Sequence, residues 1–137
     1  MITALVSDEP ISASSYGALV ASDAFGAVVT FSGVVRNVDQ GKEVISLTYE
    51  IHPSAQEVLL TIVTEIAGKY ELGNVAVAHR YGAIEIGQSA FVVAVSAVHR
   101  GSAFLACSEL VDEVKARLPI WKYQVFADGS DQWINCA

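Results

Sequence analysis

Ile45, Leu47, Tyr49 and Ile51 alternate with Ser46, Thr48 and Glu50, the period of a strand with one buried face. Upstream, Gly26 to Val35 (GAVVTFSGVV) is apolar and β-branched and predicts a buried strand. It runs into a polar loop, Arg36-Asn37-Val38-Asp39-Gln40-Gly41. Residues 2–6 predict a short strand, Val75 to Tyr81 alternates again, and Ser89 to Val98 is a strongly apolar strand. Helical spacing takes over elsewhere. Ser12 to Ala21 is rich in small residues and weakly helical, whereas Leu59, Ile62, Val63 and Ile66 form a clear stripe. Ser54-Ala55-Gln56-Glu57 reads as a capping box for that helix, and Gly68 or Gly73 closes it. A second long helix, Gly101 to Leu118, places Phe104, Cys107, Val111, Val114 and Leu118 on one face, and Pro119 limits it. Ile120–Phe126 and Gln132–Asn135 flank Asp128-Gly129-Ser130-Asp131 and predict a hairpin. Strands and helices do not alternate as βαβ units. The expected fold is therefore α+β, with a mixed, largely antiparallel sheet and two long helices. No repeat or linker divides the chain, so one domain over 1–137 is expected.

Composition narrows the function. Of 137 residues, 53% are hydrophobic and 17% charged, enough apolar material for a core and too little charge for disorder. Fifteen acids against eight Lys and Arg give a net charge of −7, which excludes a broad basic surface for nucleic acid. The longest apolar stretch, Ala90 to Val98, contains Ser96 and is far too short to span a bilayer. MITALVSDEPIS lacks the basic and apolar regions of a secretory signal, and Cys107 and Cys136 have no metal-ligand spacing. Cytosolic thiols and a cytoplasmic location are the expectation, with Cys107 in the core.

The familiar chemical motifs are missing: no P-loop, GxGxxG, HExxH, CxxC or Gly-x-Ser-x-Gly, and no carboxylate pair stands out. The scarce cations are better placed. Arg36 follows one strand, and His99 and Arg100 follow another just before a helix start. Lys115 ends that helix, and Lys122 lies beyond Pro119. Such element ends present functional groups, and a helix start favours an anion. Each has a plainer reading as a solvated terminus or a complement to the helix dipole. His79 reads as satisfying a local hydrogen bond, His52-Pro53 as serving a turn, and Trp121 and Trp133 as core or interface anchors. From the residues alone, the chain is an α+β domain with a candidate anion site.

Taken together, GAVVTFSGVVRN (26–37), YEIHP (49–53), HRYG (79–82), VSAVHRGSAF (95–104) and KARLPIWK (115–122) resemble the large, catalytic subunit family of molybdopterin synthase. The likeness runs in order from about residue 24 to the C-terminal hairpin, and VRN, AVHR-x-SAF and K-x6-K around Pro-x-Trp carry it. The resemblance implies an α/β-hammerhead-like fold and a sulfurtransferase of molybdenum cofactor biosynthesis. That enzyme converts cyclic pyranopterin monophosphate to molybdopterin. Sulfur comes from the C-terminal Gly-Gly thiocarboxylate of a small ubiquitin-like partner, and two large subunits form the central homodimer of a heterotetramer. It implies no cofactor for this step; molybdenum enters later.

By the same resemblance, Val34, Val35 and Arg36 border the pterin substrate, and His99 and Arg100 reach it from the neighbouring large subunit. Lys115 and Lys122 are the active-site lysines, and Tyr123 and Gln124 extend the substrate contact. Two departures stand out: the family often has Lys at Val34 and Arg-Glu or Lys-Glu at Tyr123-Gln124. The residue types suit the reaction. Arginines bind phosphate oxygens through charge-assisted bonds, and a lysine partly desolvated among cations can move protons near neutrality. Lys115 is expected to transfer a proton or contact the incoming acyl group, and Lys122 to stabilise developing negative charge. Two other readings stay open: a phosphate-binding small-molecule hydrolase or transferase, and a non-catalytic dimeric anion-binding module.

Overall fold

The computed structural model describes residues 1–135, so Cys136 and any pairing it makes lie outside the described residues. Nine strands and three helices follow one another as β1 (Ile2–Ser7), α1 (Ala13–Val20), β2 (Ala27–Val34), β3 (Val38–Asp39), β4 (Lys42–Ile51) and α2 (Ala55–Ala67), then β5 (Val75–Arg80), β6 (Gly82–Ile84), β7 (Ser89–Ala97), α3 (Arg100–Arg117), β8 (Ile120–Phe126) and β9 (Asp131–Ile134). One sheet has the order β1-β5-β7-β2 and the other β3-β4-β8-β9, with β6 also paired to β4. Only β1 with β5 is parallel among the described pairings. The α+β, mixed and largely antiparallel expectation is met, with α1 as a third, short helix.

Strands β5 and β7 are buried on both faces. Their alternation sorts the side chains by size. Val75, Val77, Phe91, Val93 and Val95 face the main core, which they share with Leu59, Ile62, Val63, Leu110 and Val114 of the two long helices. Ala76 and Ala94 face the other way and form a smaller cluster with Val20 and Tyr16 of α1. Small residues on that face let the short helix lie close to the sheet. Leu47, Tyr49, Ile84 and Ile120 bring the second sheet into the main core.

Several local expectations change. β2 is an edge strand with alternating burial rather than a buried one, and Val28 and Val34 are exposed. The polar loop at 36–41 closes as a tight hairpin, with Gln40 and Gly41 both at positive φ between β3 and β4. In β4 the register with β8 slips between Val44 and Ser46, so Val44 is buried and Ile45 is exposed. On α3 the inward face is Ala103, Ala106, Cys107, Leu110 and Val114, leaving Phe104 exposed. The alanines allow the helix to pack tightly on the sheet, which rotates the larger ring outward. Burial pushes the Cys107 thiol up to about 11, as a core thiol should be.

The capping box does not form. Ser54 makes no side-chain cap bond, and its N–H donates to His52 Nδ1 at 3.1 Å, so His52 does serve the turn. Gln56 instead leaves the helix surface: its Nε2 donates to the Ala4 carbonyl at 2.8 Å, and its Oε1 accepts from the Val6 N–H at 2.8 Å. The amide thus mimics a neighbouring strand along the outer edge of β1. Gln56→Ala should lower stability by about 1 kcal/mol in urea denaturation and accelerate hydrogen exchange at the Val6 amide.

Candidate active site

The pocket arises where the two sheets meet. β2 pairs with β7 up to Gly33 opposite Phe91, then its register shifts at Val34. The extra residue, Ala90, lies on β7, while alternation along β2 continues and keeps Val35 on the core side with Ala27, Val29 and Phe31. The Val35 N–H donates to the Gln88 carbonyl at 3.0 Å. Arg36 is then delivered over the gap between the sheets. From the second sheet, Tyr49 lies opposite Lys122 and Leu47 opposite Gln124, so both cross-strand pairs present one face. Lys115 enters from the last turn of α3. Together with Gly33, Asp39, His79, Ala90 and Phe91, these residues enclose a cavity of about 220 Å³.

Its electrostatics are opposite to those of the whole chain. Three cations, Arg36, Lys115 and Lys122, line the cavity with a single carboxylate, Asp39. Asp39 organises the rim: its Oδ2 accepts from Gln124 Nε2 at 2.7 Å, and its Oδ1 lies 3.4 Å from the Arg36 guanidinium. The Arg36 side chain is 74% exposed, so this long contact leaves it able to turn onto an incoming anion. Outside the pocket three cations meet carboxylates on the surface, Lys42 with Asp128, Lys69 with Glu109, and Arg117 with Glu65 and Glu113, while Arg80 donates to Gln88 Oε1.

The structure thus brings Val34, Val35, Arg36, Lys115, Lys122 and Gln124 to one cavity. Tyr123 is not among them. Strand alternation turns it to the other face of β8, where its hydroxyl donates to Asp131 Oδ2 at 2.7 Å and its ring packs on Trp133. His99 and Arg100 are also elsewhere. They open α3 while Lys115 lies in its last turn, about 22 Å away at the helical rise of 1.5 Å per residue.

His79, Tyr49 and Asp39 line the pocket although the sequence singled out none of them as a ligand contact. His79 is fully buried, stacked on Phe91 with ring centroids 5.4 Å apart and edge-on to Tyr49 at 4.9 Å. Its Nδ1 lies 2.9 Å from the Arg80 carbonyl, which can only accept, so Nδ1 carries the hydrogen. Desolvation holds the ring neutral, with its pKa down to about 4, and the nearby positive charge of Lys115 acts in the same direction. The one available signal was HRYG, a histidine on an apolar strand beside an arginine.

Among the described residues no helix is long and apolar enough to cross a membrane. Comparison with known proteins then adds a lineage. Residues 6–117 match the family model described as MoaE protein. The chain is 46% identical over 113 residues to the molybdopterin synthase catalytic subunit of Aspergillus clavatus, covering 82% of this chain and 57% of that relative. It therefore spans little more than half of that relative's length. It is 39% identical to the subunit of the same name from Nostoc sp., covering 92% of this chain and 78% of that relative. The crystal structure of molybdopterin synthase from Staphylococcus aureus superposes with a TM-score of 0.85 at 32% identity, covering 94% of each chain.

The neutral buried histidine carries a stability signature. In the unfolded chain it titrates near its ordinary 6.5, and in the folded chain near 4. Between those values the unfolded state binds the extra proton, so stability falls as pH drops through that window and levels off below it. The loss should approach about 3 kcal/mol. Urea midpoints of wild type and His79→Phe at about pH 7 and about pH 4 should differ by that pH-dependent contribution, which the variant lacks.

Proposed function

The chain belongs to the MoaE family, and from that membership we propose that it is the catalytic subunit of a molybdopterin synthase. In this reading it moves sulfur from the thiocarboxylate of a small ubiquitin-like partner onto cyclic pyranopterin monophosphate. One observation carries the reading: Arg36, Lys115 and Lys122 converge on a single cavity of a chain whose net charge is −7. Such a local field concentrates an anionic substrate that the rest of the surface repels.

Each element then has a task. Arg36 turns from Asp39 to the substrate phosphate and binds it through charge-assisted bonds. Val34 and Val35, at the bulge, border the substrate, with Val35 N–H already held by the Gln88 carbonyl. The thiocarboxylate sulfur forms a bond to a side-chain carbon as that carbon's bond to a cyclic-phosphate oxygen breaks, so the ring opens with the oxygen kept on phosphorus. Water then cleaves the acyl–sulfur bond of the resulting thioester, leaving sulfur on the substrate and a carboxylate on the partner's tail. Lys115 transfers the accompanying proton or contacts the acyl group of the tail, and Lys122 stabilises the negative charge developing on the phosphate. Gln124 supports Arg36 indirectly by binding Asp39. The Tyr123 backbone, not its phenol, is the part that extends the substrate contact.

The relatives are named as subunits, in keeping with a partner that supplies sulfur. A second copy of this chain completes the site. His99 and Arg100 are too far along α3 to serve their own cavity, and the neighbouring protomer supplies them. Val28, Val98, Phe104 and Leu105 expose an apolar face along the β2 edge and the start of α3, suited to such a dimer. The whole chain acts as one domain in the cytoplasm.

Reconstitution with thiocarboxylated partner and cyclic pyranopterin monophosphate should yield dithiolene product. Lys115→Ala and Lys122→Ala should each slow it by about 100-fold or more, and wild-type rates in both would remove the assignment. Inactive Arg100→Ala and Lys115→Ala proteins should regain activity when mixed and allowed to exchange protomers. In the mixed dimer one cavity keeps both its lysine and the neighbour's arginine. No recovery from verified mixed dimers would show that Arg100 does not act across the interface.

A further inference from the structure

Among the described residues, three buried side-chain polar atoms lack a partner: His79 Nε2, Arg80 Nε and Glu109 Oε2. Arg80 and Glu109 each have another side-chain atom engaged, with Gln88 and Lys69 respectively. His79 differs because its ring lines the cationic cavity itself. Its Nδ1 is committed to the Arg80 carbonyl, so in the neutral ring Nε2 can only accept a hydrogen bond. Phe91 and Tyr49 pack against the ring and fix its orientation. A buried acceptor with no protein partner needs one from the molecule in the cavity.

We propose that His79 Nε2 is a substrate-orienting acceptor, taking a hydrogen bond from an N–H of the bound heterocycle while the cations hold its phosphate. This rests on the reading of the cavity as the site of a phosphorylated pterin and assigns the other end of that molecule. The chemistry is selective. A phosphate or carboxylate oxygen set against Nε2 would oppose lone pair to lone pair, whereas a ring N–H is complementary. The histidine therefore discourages the reversed pose, phosphate inward, that the pocket's positive charge alone would permit. Burial keeps the imidazole neutral at physiological pH, so the acceptor is present whenever the enzyme works.

Titration of wild type, His79→Phe and His79→Gln with cyclic pyranopterin monophosphate and, separately, inorganic phosphate tests the proposal. His79→Phe keeps an aromatic ring and removes the acceptor; it should weaken pterin binding about tenfold or more, and His79→Gln should recover part of the loss. Inorganic phosphate should bind all three within about twofold of one another. In nitrogen-detected NMR of the wild-type imidazole, the Nε2 resonance should move on adding the pterin and stay in place on adding phosphate, a readout that needs no variant to fold. If wild type does not bind the pterin, the substrate reading fails and this proposal falls with it. If wild type binds but the Nε2 resonance stays fixed, or His79→Phe binds equally well, only the role of His79 is overturned. An equal loss of pterin and phosphate binding in His79→Phe would overturn it too, marking a general disturbance of the pocket.

Discussion

The pairing of β2 with β7, and its slip at Gly33 and Val34, is the constraint on which the rest of the pocket depends. The slip leaves one extra residue, Ala90, on β7 between Ser89 and Phe91, and Ala90 joins Phe91 in the core and at the pocket wall. Along β2 the alternation is kept, so Val35 stays on the core side and the next residue, Arg36, enters the loop within reach of Asp39. Phe91 is paired with His79 of β5, on which its ring stacks, and meets Phe31 of β2 edge-on at 5.6 Å. One extra residue in β7 therefore adds a small side chain, Ala90, to the pocket wall beside Phe91. The Val35 carbonyl accepts from Gly87 N–H at 2.8 Å, so both backbone groups of Val35 are tied to the 87–88 segment that leads into β7.

The charge distribution follows from the same geometry. On the surface Lys42, Lys69 and Arg117 close onto carboxylates, pairs that add little to stability when solvated, and their effect is mainly to neutralise one another. In the pocket the ratio reverses, because β4 and β8 present Tyr49, Lys122, Leu47 and Gln124 on one face and only Asp39 offers a negative charge. Asp39 does not cancel the cations so much as hold the apparatus still: one oxygen receives the Gln124 amide and the other faces Arg36. A glutamate at position 124, which the family pattern often has, would place a second carboxylate against Asp39. Glutamine makes that contact a hydrogen bond, so this departure is matched to the aspartate it touches.

What was legible in the sequence was whatever depends on neighbours along the chain. Strand periods, the helical stripe of Leu59, Ile62, Val63 and Ile66, and cations at element ends are all local, and they located Arg36, Lys115 and Lys122. What was illegible depends on crossings between distant segments. Ile45 had the right period and the wrong face, because a bulge inside β4 resets the alternation. Phe104 looked inward until Ala103 and Ala106 took the sheet-facing side of α3. The Ser54 box had the right letters, but His52 and the edge of β1 offered its residues other partners. His79 looked like a satisfied core histidine, and half of it is. Its second nitrogen acquires significance only when Lys115 and Phe91 arrive from other elements.

Helix α3 ties these ends to one another. It is straightforward for a helix to place its C-terminal lysine at a pocket on its own chain, and its rigidity then fixes where the N-terminal pair must be. His99 and Arg100 stand about 22 Å off, on the side where Val98, Phe104 and Leu105 are exposed. Bending the helix cannot close that distance, because its inward alanines, Leu110 and Val114 are locked into the main core. A role for His99 and Arg100 at a pocket therefore requires a second chain, and two-fold symmetry is the simplest arrangement that serves both copies alike. Under such symmetry the apolar end of α3 and the cationic end are parts of one design. In the dimer proposed above, the first would bring two chains together, and the same contact would carry each arginine toward the other chain's lysines.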